Sequence, residues 1–361
     1  MKAAGGVLCL LLLAAAAPAL DQAAERPRMP AADLYKTACA SCHGAEGKGA
    51  PHWEGPVPLP DFSDCLATTS EPAEQWETIV REGGRSRGLS STMPAFGEAL
   101  RPEEIRELVV YLRAFCANAA DYPPGDLNFR RPLETGKAFP EQEVVMQSSS
   151  TRIAGRTTNE IAASFENRIG PRFQYEATVP FFATAPQLGG DTGVGDVELE
   201  AKYVLHFDPA RSQILSAGVG LTFPTGSFEK GTGEGAFAAE PFLAFGKAWG
   251  ATILQARAAP EISAKPDRRA SVFGYEIALS QALGPPHIAW TPAVEIVGEV
   301  RFRDGVNQTA ALFEVSKAIS PLGHLVGSVG LRVPLTQSDE KYRIEAFLLW
   351  DFGDGPFWKG W

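Results

Sequence analysis

Cys39-Ala40-Ser41-Cys42-His43 sets two thiols three residues apart with an imidazole directly after them. On a helix the thiols stand one turn apart on one face. C-x-x-C-H is the attachment pattern of a c-type haem: the thiols add to the two vinyl groups and the imidazole ligates the iron from the proximal side. A thioredoxin-like redox pair or a zinc half-site would use the same cysteines. The first should follow a strand in a βαβ unit and the second needs another ligand pair; neither accompanies these residues. Cys65, in a loop after Asp61-Phe62-Ser63-Asp64, and Cys116, at the end of the last helix, are left without a haem to bind. In an oxidising compartment leftover thiols pair, and a bridge here would clip a thin helical core shut; two buried free thiols are the alternative.

Helices must position these groups. Pro30 occupies a favoured first-turn position, and Leu34, Tyr35 and Ala38 follow at helical spacing into the motif. A second helix is expected from about Glu71 to Glu82, with Trp76, Ile79 and Val80 on its apolar side. A polar glycine-rich loop, Gly83-Gly84-Arg85-Ser86-Arg87-Gly88, leads to Ser91-Thr92-Met93-Pro94-Ala95-Phe96. The last helix starts at Pro102 with Glu103 and Glu104 in its first turn, and Ile105, Leu108, Val109 and Leu112 form its apolar stripe. Residues 30–117 thus read as one small all-α domain, which resembles a single-haem c-type cytochrome. The resemblance implies one covalent haem c held by Cys39, Cys42 and His43, with Met93 in the Met-Pro loop as distal iron ligand. A thioether in that place raises the reduction potential relative to a second histidine. Packing is the other use a methionine has, and His52 is the rival ligand.

The first 19 residues read as an export signal: Lys2, an apolar run from Val7 to Ala17, and Ala17-Pro18-Ala19 as cleavage site. Cys9 would leave with it, and residues 20–29 form a short N-terminal segment. After residue 117 the pattern changes. Asp121-Tyr122-Pro123-Pro124-Gly125 opens a stretch to residue 142 that reads as a Pro/Gly-containing linker. From 143 to 361 the period is two. Leu199, Tyr203 and Leu205 alternate with Glu198, Glu200 and Lys202, and Val329, Leu331 and Val333 alternate with Ser328 and Arg332. About twelve such segments of roughly ten residues each match an all-β antiparallel outer-membrane barrel. Its lumen face would carry Glu176, Glu276, Glu295, Glu314 and Glu345 among its glutamates, mixed charges that solvate the interior and pair across strands. Aromatics near strand ends (Phe181, Phe207, Phe223, Trp249, Trp290, Phe302) and the terminal Phe357-Trp358-Lys359-Gly360-Trp361 favour the membrane over a soluble sandwich.

The chain has 361 residues, enough for two domains, with 45% hydrophobic and 21% charged residues. A formal net charge of −10 argues against nucleic acid as partner. The 36 glycines and 28 prolines favour a structure punctuated by turns. Gly193-Val194-Gly195-Asp196-Val197-Glu198-Leu199 and Phe223-Pro224-Thr225-Gly226-Ser227 resemble transporter-like outer-membrane barrels found in phenol-degradation settings. The order of parts (signal, haem domain, linker, barrel) is similar to the fused cytochrome–porins of iron-oxidising bacteria, whose barrels are larger.

That resemblance implies electron transfer at the outer membrane, from an external or lumen-entering donor, Fe(II) above all, to a periplasmic electron carrier. The other class is a channel for small molecules with the cytochrome domain as redox attachment or sensor. An enzyme acting at the haem is disfavoured, because six-coordinate His/Met iron has no open position for substrate. A helical domain with a radius of gyration of about 12 Å should not pass through a twelve-stranded lumen, so it is expected at the periplasmic mouth. His206, His287 and His324 show no ligand spacing and are assigned no metal.

Overall fold

The computed structural model describes residues 27–55, 59–184, 192–285, 288–321 and 323–352. The signal reading, Cys9, His287 and the terminal aromatics fall outside these residues.

The first helical stretch runs through α1 (Ala31–Leu34), a π-type turn over Tyr35–Cys39 and α2 (Ala40–His43). It is followed by α3 (Cys65–Ser70), α4 (Ala73–Glu82) and α5 (Pro102–Arg113). Cys65, placed in a loop on sequence grounds, opens α3 instead. Asp64 caps that helix, its carboxylate accepting from the backbone N–H groups of Leu66 (3.0 Å) and Ala67 (3.4 Å). Glu104 caps α5, accepting from the Arg101 N–H at 2.9 Å. Leu34, Tyr35, Phe62, Val80, Ile105, Leu108 and Leu112 form the buried core of this domain. Cys65 and Cys116 are joined by a disulfide, Cα–Cα 4.9 Å, tying the start of α3 to the end of α5.

Among the described residues no helix is long and apolar enough to cross a membrane. The second region is antiparallel throughout: β1 (Glu143–Ile153), β2 (Arg156–Ile169), β3 (Phe173–Thr184), β4 (Thr192–Val194), β5 (Val197–Asp208), β6 (Gln213–Phe223) and β7 (Ala238–Trp249). It continues with β8 (Thr252–Ser263), β9 (Val272–Gln281), β10 (Trp290–Arg301), β11 (Asn307–Ala318), β12 (Leu325–Pro334) and β13 (Glu340–Asp351). Every strand pairs with its sequence neighbours, except that β4 and β5 both pair with β3 and together make one stave. Pairing of β1 with β13 closes the sheet into a twelve-stave barrel.

The apolar side chains of the alternating pattern face outward, and the glutamates, arginines and lysines face the lumen. Some apolar side chains face inward as well, Phe242, Leu312 and Phe347 among them, and Phe207 joins them through a shift of register. Between Val204 and His206 the β5–β6 register shifts, so side chains beyond Leu205 swap faces. Phe207, expected on the apolar outer face, therefore turns inward and packs beside Phe129 and Phe139.

Residues 118–142 do not behave as a free spacer. Two short turns, Ala119–Asp121 and Gly125–Leu127, lie against the helical domain and the barrel mouth. From Asn128 the chain rises inside the barrel to a tip at Leu133–Thr135, then returns to the start of β1. Phe129, Leu133, Thr135, Ala138 and Phe139 are buried there. The helical domain docks on the same end. The Arg87 guanidinium donates to the Pro321 carbonyl (3.0 Å), Glu71 meets His324 (3.5 Å), and the Arg172 Nε donates to the Asp121 carbonyl (3.1 Å).

Candidate functional site

The C-x-x-C-H segment ends the first helical stretch, starting at Cys39, the last residue of the π-type turn. Such wide turns recur at functional sites because they rotate the residues beyond them out of the regular helical phase. Beyond His43 the chain reverses at Gly44, whose φ is +75° and where a Cβ would stand 2.5 Å from the Gly49 carbonyl oxygen. Only glycine fits that close return. The returning loop is fixed by N–H groups of Gly49 and Ala50 donating to the carbonyls of His43 and Cys42, both at 2.8 Å. The Tyr35 hydroxyl donates to the Gly44 carbonyl at 2.5 Å, and burial pushes its pKa up to about 12.

Cys39 and Cys42 are free and half-buried. Burial, with Cys42 beside it, raises the Cys39 thiol to about 11, so it is held protonated. The His43 ring stacks on Phe62 (centroids 4.9 Å apart, 26° between planes). Burial pushes the imidazole below its usual pKa, which leaves it neutral, the form that can give an electron pair to a metal. Its Nδ1 is buried and finds no hydrogen-bond partner among the described residues. Cys39 packs against the core together with Trp76, Phe96, Leu100, Tyr111 and Phe115, all half-covered.

Met93 is brought to the end of α4 by backbone contacts. The Gly84 N–H donates to the Met93 carbonyl (3.1 Å), while Phe96 and Gly97 donate to the Val80 (3.0 Å) and Arg81 (2.9 Å) carbonyls. Gly83, at φ +80°, would place a Cβ 2.9 Å from the Met93 oxygen, so the glycine pair read as a polar loop is what lets the Met-Pro segment approach. His52 is exposed. Two free thiols on one helix face, a neutral imidazole and a thioether loop are a donor set whose chemistry fits haem c.

The second functional feature was not foreseen: the loop inside the barrel. Its tip clasps a carboxylate of the wall. The N–H groups of Leu133 (2.9 Å) and Glu134 (3.1 Å) donate to Glu295 Oε1, and the Thr135 N–H and hydroxyl, both at 2.6 Å, donate to Oε2. Leu133 N–H also reaches Glu314 (3.1 Å) and Gly136 N–H reaches Glu276 (2.9 Å). Arg131 bridges Glu143 (2.6 Å) and Glu166 (2.5 Å), Lys137 pairs with Glu141, and Lys202 and Ser216 donate to the Lys137 (2.9 Å) and Ala138 (2.5 Å) carbonyls. At the far side Glu134 lies between Arg332 (3.4 Å) and Arg343 (3.7 Å). Two apolar contacts complete the seating: Phe129 among Val204, Ile214 and Phe242, and Leu133 among Val145, Leu312 and Phe347. The one sequence signal was the run of lumen-facing glutamates, which read as solvated and ion-paired across strands. Many of them instead hold this loop.

Residues 27–112 match the family model described as cytochrome C oxidase, cbb3-type, subunit III. No curated protein matches the chain. Among solved structures, an outer membrane channel from Pseudomonas putida F1 is similar at 15% identity and TM-score 0.47, covering 62% of this chain and 100% of that one. The KdgM porin in complex with disordered oligogalacturonate follows at 10% identity and TM-score 0.44, covering 58% and 99%. Outer membrane phospholipase A from Escherichia coli gives 9% identity and TM-score 0.37, covering 59% and 94%. The molecule is a small helical c-type cytochrome domain, which implies haem c binding, followed by a closed antiparallel barrel.

Proposed function

We propose that the protein carries one covalent haem c and moves single electrons at an outer membrane in which the barrel sits. The observation that carries this reading is the neutral, half-buried His43 directly after two free thiols, in a domain that matches a cytochrome family. When bound, the haem supplies one-electron iron chemistry at a potential set by its axial ligands. Cys39 and Cys42 would hold it through thioethers, His43 through its Nε2, and Met93 from the opposite side. Phe62 keeps the His43 ring in place by stacking, and the Gly83-Gly84 backbone holds the Met93 loop. Half-buried Trp76, Phe96 and Leu100 would limit water around the group.

Orientation follows from the connections. On the side of the helical domain the turns 170–172, 209–212 and 250–251 are short, with 282–289 and 319–324 longer, while the other side carries 224–237 and 264–271 beside the short 154–155. Membrane barrels place short turns on the periplasmic side, so the domain faces the periplasm and an electron carrier there. The seated loop favours electron carriage over free diffusion through the lumen. Fe(II) is the donor that the resemblance to fused cytochrome–porins supplies.

The test is reconstitution in liposomes with haem absorbance followed after a reductant is added on one side at a time. A small reductant on the domain side should reduce the haem within seconds. Absence of reduction from either side would overturn the electron-transfer reading. Fe(II) added on the loop side that leaves the haem oxidised would remove it as an external donor.

A further inference from the structure

The loop 128–142 enters and leaves the lumen by the same mouth, so it can withdraw without threading the chain through the barrel. Cavities lie on both sides of it. One, about 510 Å³, is lined by Glu71, Arg131, Lys137, His324 and Asp351 between the helical domain and the loop. The other, about 400 Å³, is lined by Glu134, Glu240, Glu299, Gln308 and Arg332 on the far side. A single irregular segment divides them.

We propose that the barrel is a gated conduit for small cations, with this loop as its plug and the helical domain as the handle that moves it. The proposal rests on the membrane-barrel reading and adds a transport function to it. The wall behind the plug is polar on nearly every stave. Residues sealed for good gain nothing from this, since buried ion pairs can be replaced by apolar packing at no loss of stability. A lumen that fills with water requires it. Lumen-facing glutamates outnumber the basic residues, which favours cations in the open state.

The latch is the Glu295 carboxylate, taken up by successive N–H groups of residues 133–135. Consecutive backbone N–H groups around one anion form a nest, and their charge-assisted bonds hold the tip at mid-lumen. The handle is tied to the foot of the plug. Asp126 accepts from the Ala73 N–H (3.0 Å) and pairs with Arg113 (3.2 Å), and Gly125 packs against the Ser70 carbonyl. Among the described residues, Arg87 and the Glu71–His324 pair join the domain to the barrel mouth, and Arg172 holds the turn at Asp121 that follows the domain. Lifting the domain from the mouth therefore pulls on the foot of the plug.

The experiment is single-channel recording of the full-length holoprotein in planar bilayers with potassium chloride. Haem absorbance and heat-dependent migration in SDS report folding of the two regions. The native protein should be shut for most of the record. Glu295→Gln, which keeps the shape and removes the charge, should raise open time at least tenfold, with cations preferred over anions. Arg87→Ala combined with Arg172→Ala leaves the lumen wall intact and should also open it. Folded variants that stay shut, or a native protein that conducts as freely as the variants, would overturn the gate. Should Glu295→Gln fail to assemble, the Arg87/Arg172 double variant decides by the same readings. Failure of every form to insert, with haem absorbance intact, would overturn the membrane reading itself and the gate with it.

Discussion

In the helical domain Ile105, Leu108 and Val109 are each 1% exposed, whereas on the barrel Leu243, Leu279 and Phe313 are each 53% exposed. The polar groups are distributed the other way. Glu103, Arg106 and Glu107 lie on the outer face of α5, while Glu295, Glu166 and Glu345 are buried within the barrel. Both regions obey the same physics, removal of apolar surface from water and pairing of buried polar groups. On the membrane reading proposed above the solvent differs: water surrounds the domain, and lipid surrounds the barrel. Exposure alone thus says nothing about tolerance to change until the surrounding medium is known.

The sharpest way to separate the two regions is His43→Ala. Low-spin haem absorbance should be lost completely while the barrel keeps its heat-dependent migration in SDS. A spectrum like that of the native protein would remove His43 as ligand. Met93→Ala should retain the haem, lower its potential and open it to carbon monoxide; unchanged potential and ligand binding would assign Met93 to packing.

Breaking the disulfide is the next largest effect. Cys65→Ser releases a link across 51 positions and should cost about 3–4 kcal/mol in the loop-entropy account. Thermal loss of haem absorbance measures it, and barrel migration should not move. A barrel destabilised in parallel would show that the two regions unfold as one.

A matched pair tests the medium directly. Val110 on α5 is 70% exposed and Leu331 on β12 is 44% exposed. Val110→Arg should change stability by less than about 0.5 kcal/mol. Leu331→Arg should cost about 2–4 kcal/mol or block assembly, because a charge there faces hydrocarbon. Equal tolerance at both positions in urea titrations would mean that water covers the barrel as well.

The smallest effect belongs to one loop of the domain. The Ser63 hydroxyl and N–H donate to Asp61, at 2.6 and 2.8 Å, and hold its carboxyl below the usual range. A depressed pKa stabilises the fold above the unfolded value of about 3.9 and is lost as pH falls through the folded value. Ser63→Ala should therefore flatten a slight fall in domain stability between pH 5 and pH 3. An identical pH profile would show that the bond contributes nothing.

Much of this was written in local sequence. C-x-x-C-H is contiguous, α4 and α5 follow from a 3.6-residue stripe, and the staves follow from alternation because a strand has only two faces. Even the inward direction of Glu198, Lys202 and Arg332 could be read that way. Phe207 could not, because a single extra residue in β5 swaps the faces and leaves no local mark. The helical setting of Cys65 leaves no local mark either, because α3 is only six residues long, too short to show a period.

The plug lay beyond any sequence reading. Prolines and a lack of periodicity made 118–142 look like a spacer, and its composition is that of one. What holds its tip are wall residues 160 and more positions away, as in the bonds from Leu133 to Glu295 and Glu314. Its unpaired backbone N–H groups had to find acceptors somewhere, as buried N–H groups must. The sequence determined that a haem-binding helical domain precedes a barrel with a charged interior. Only closure of the twelve staves, which brings all their inward faces around one axis, decided that those charges meet a folded-back segment of the chain rather than water.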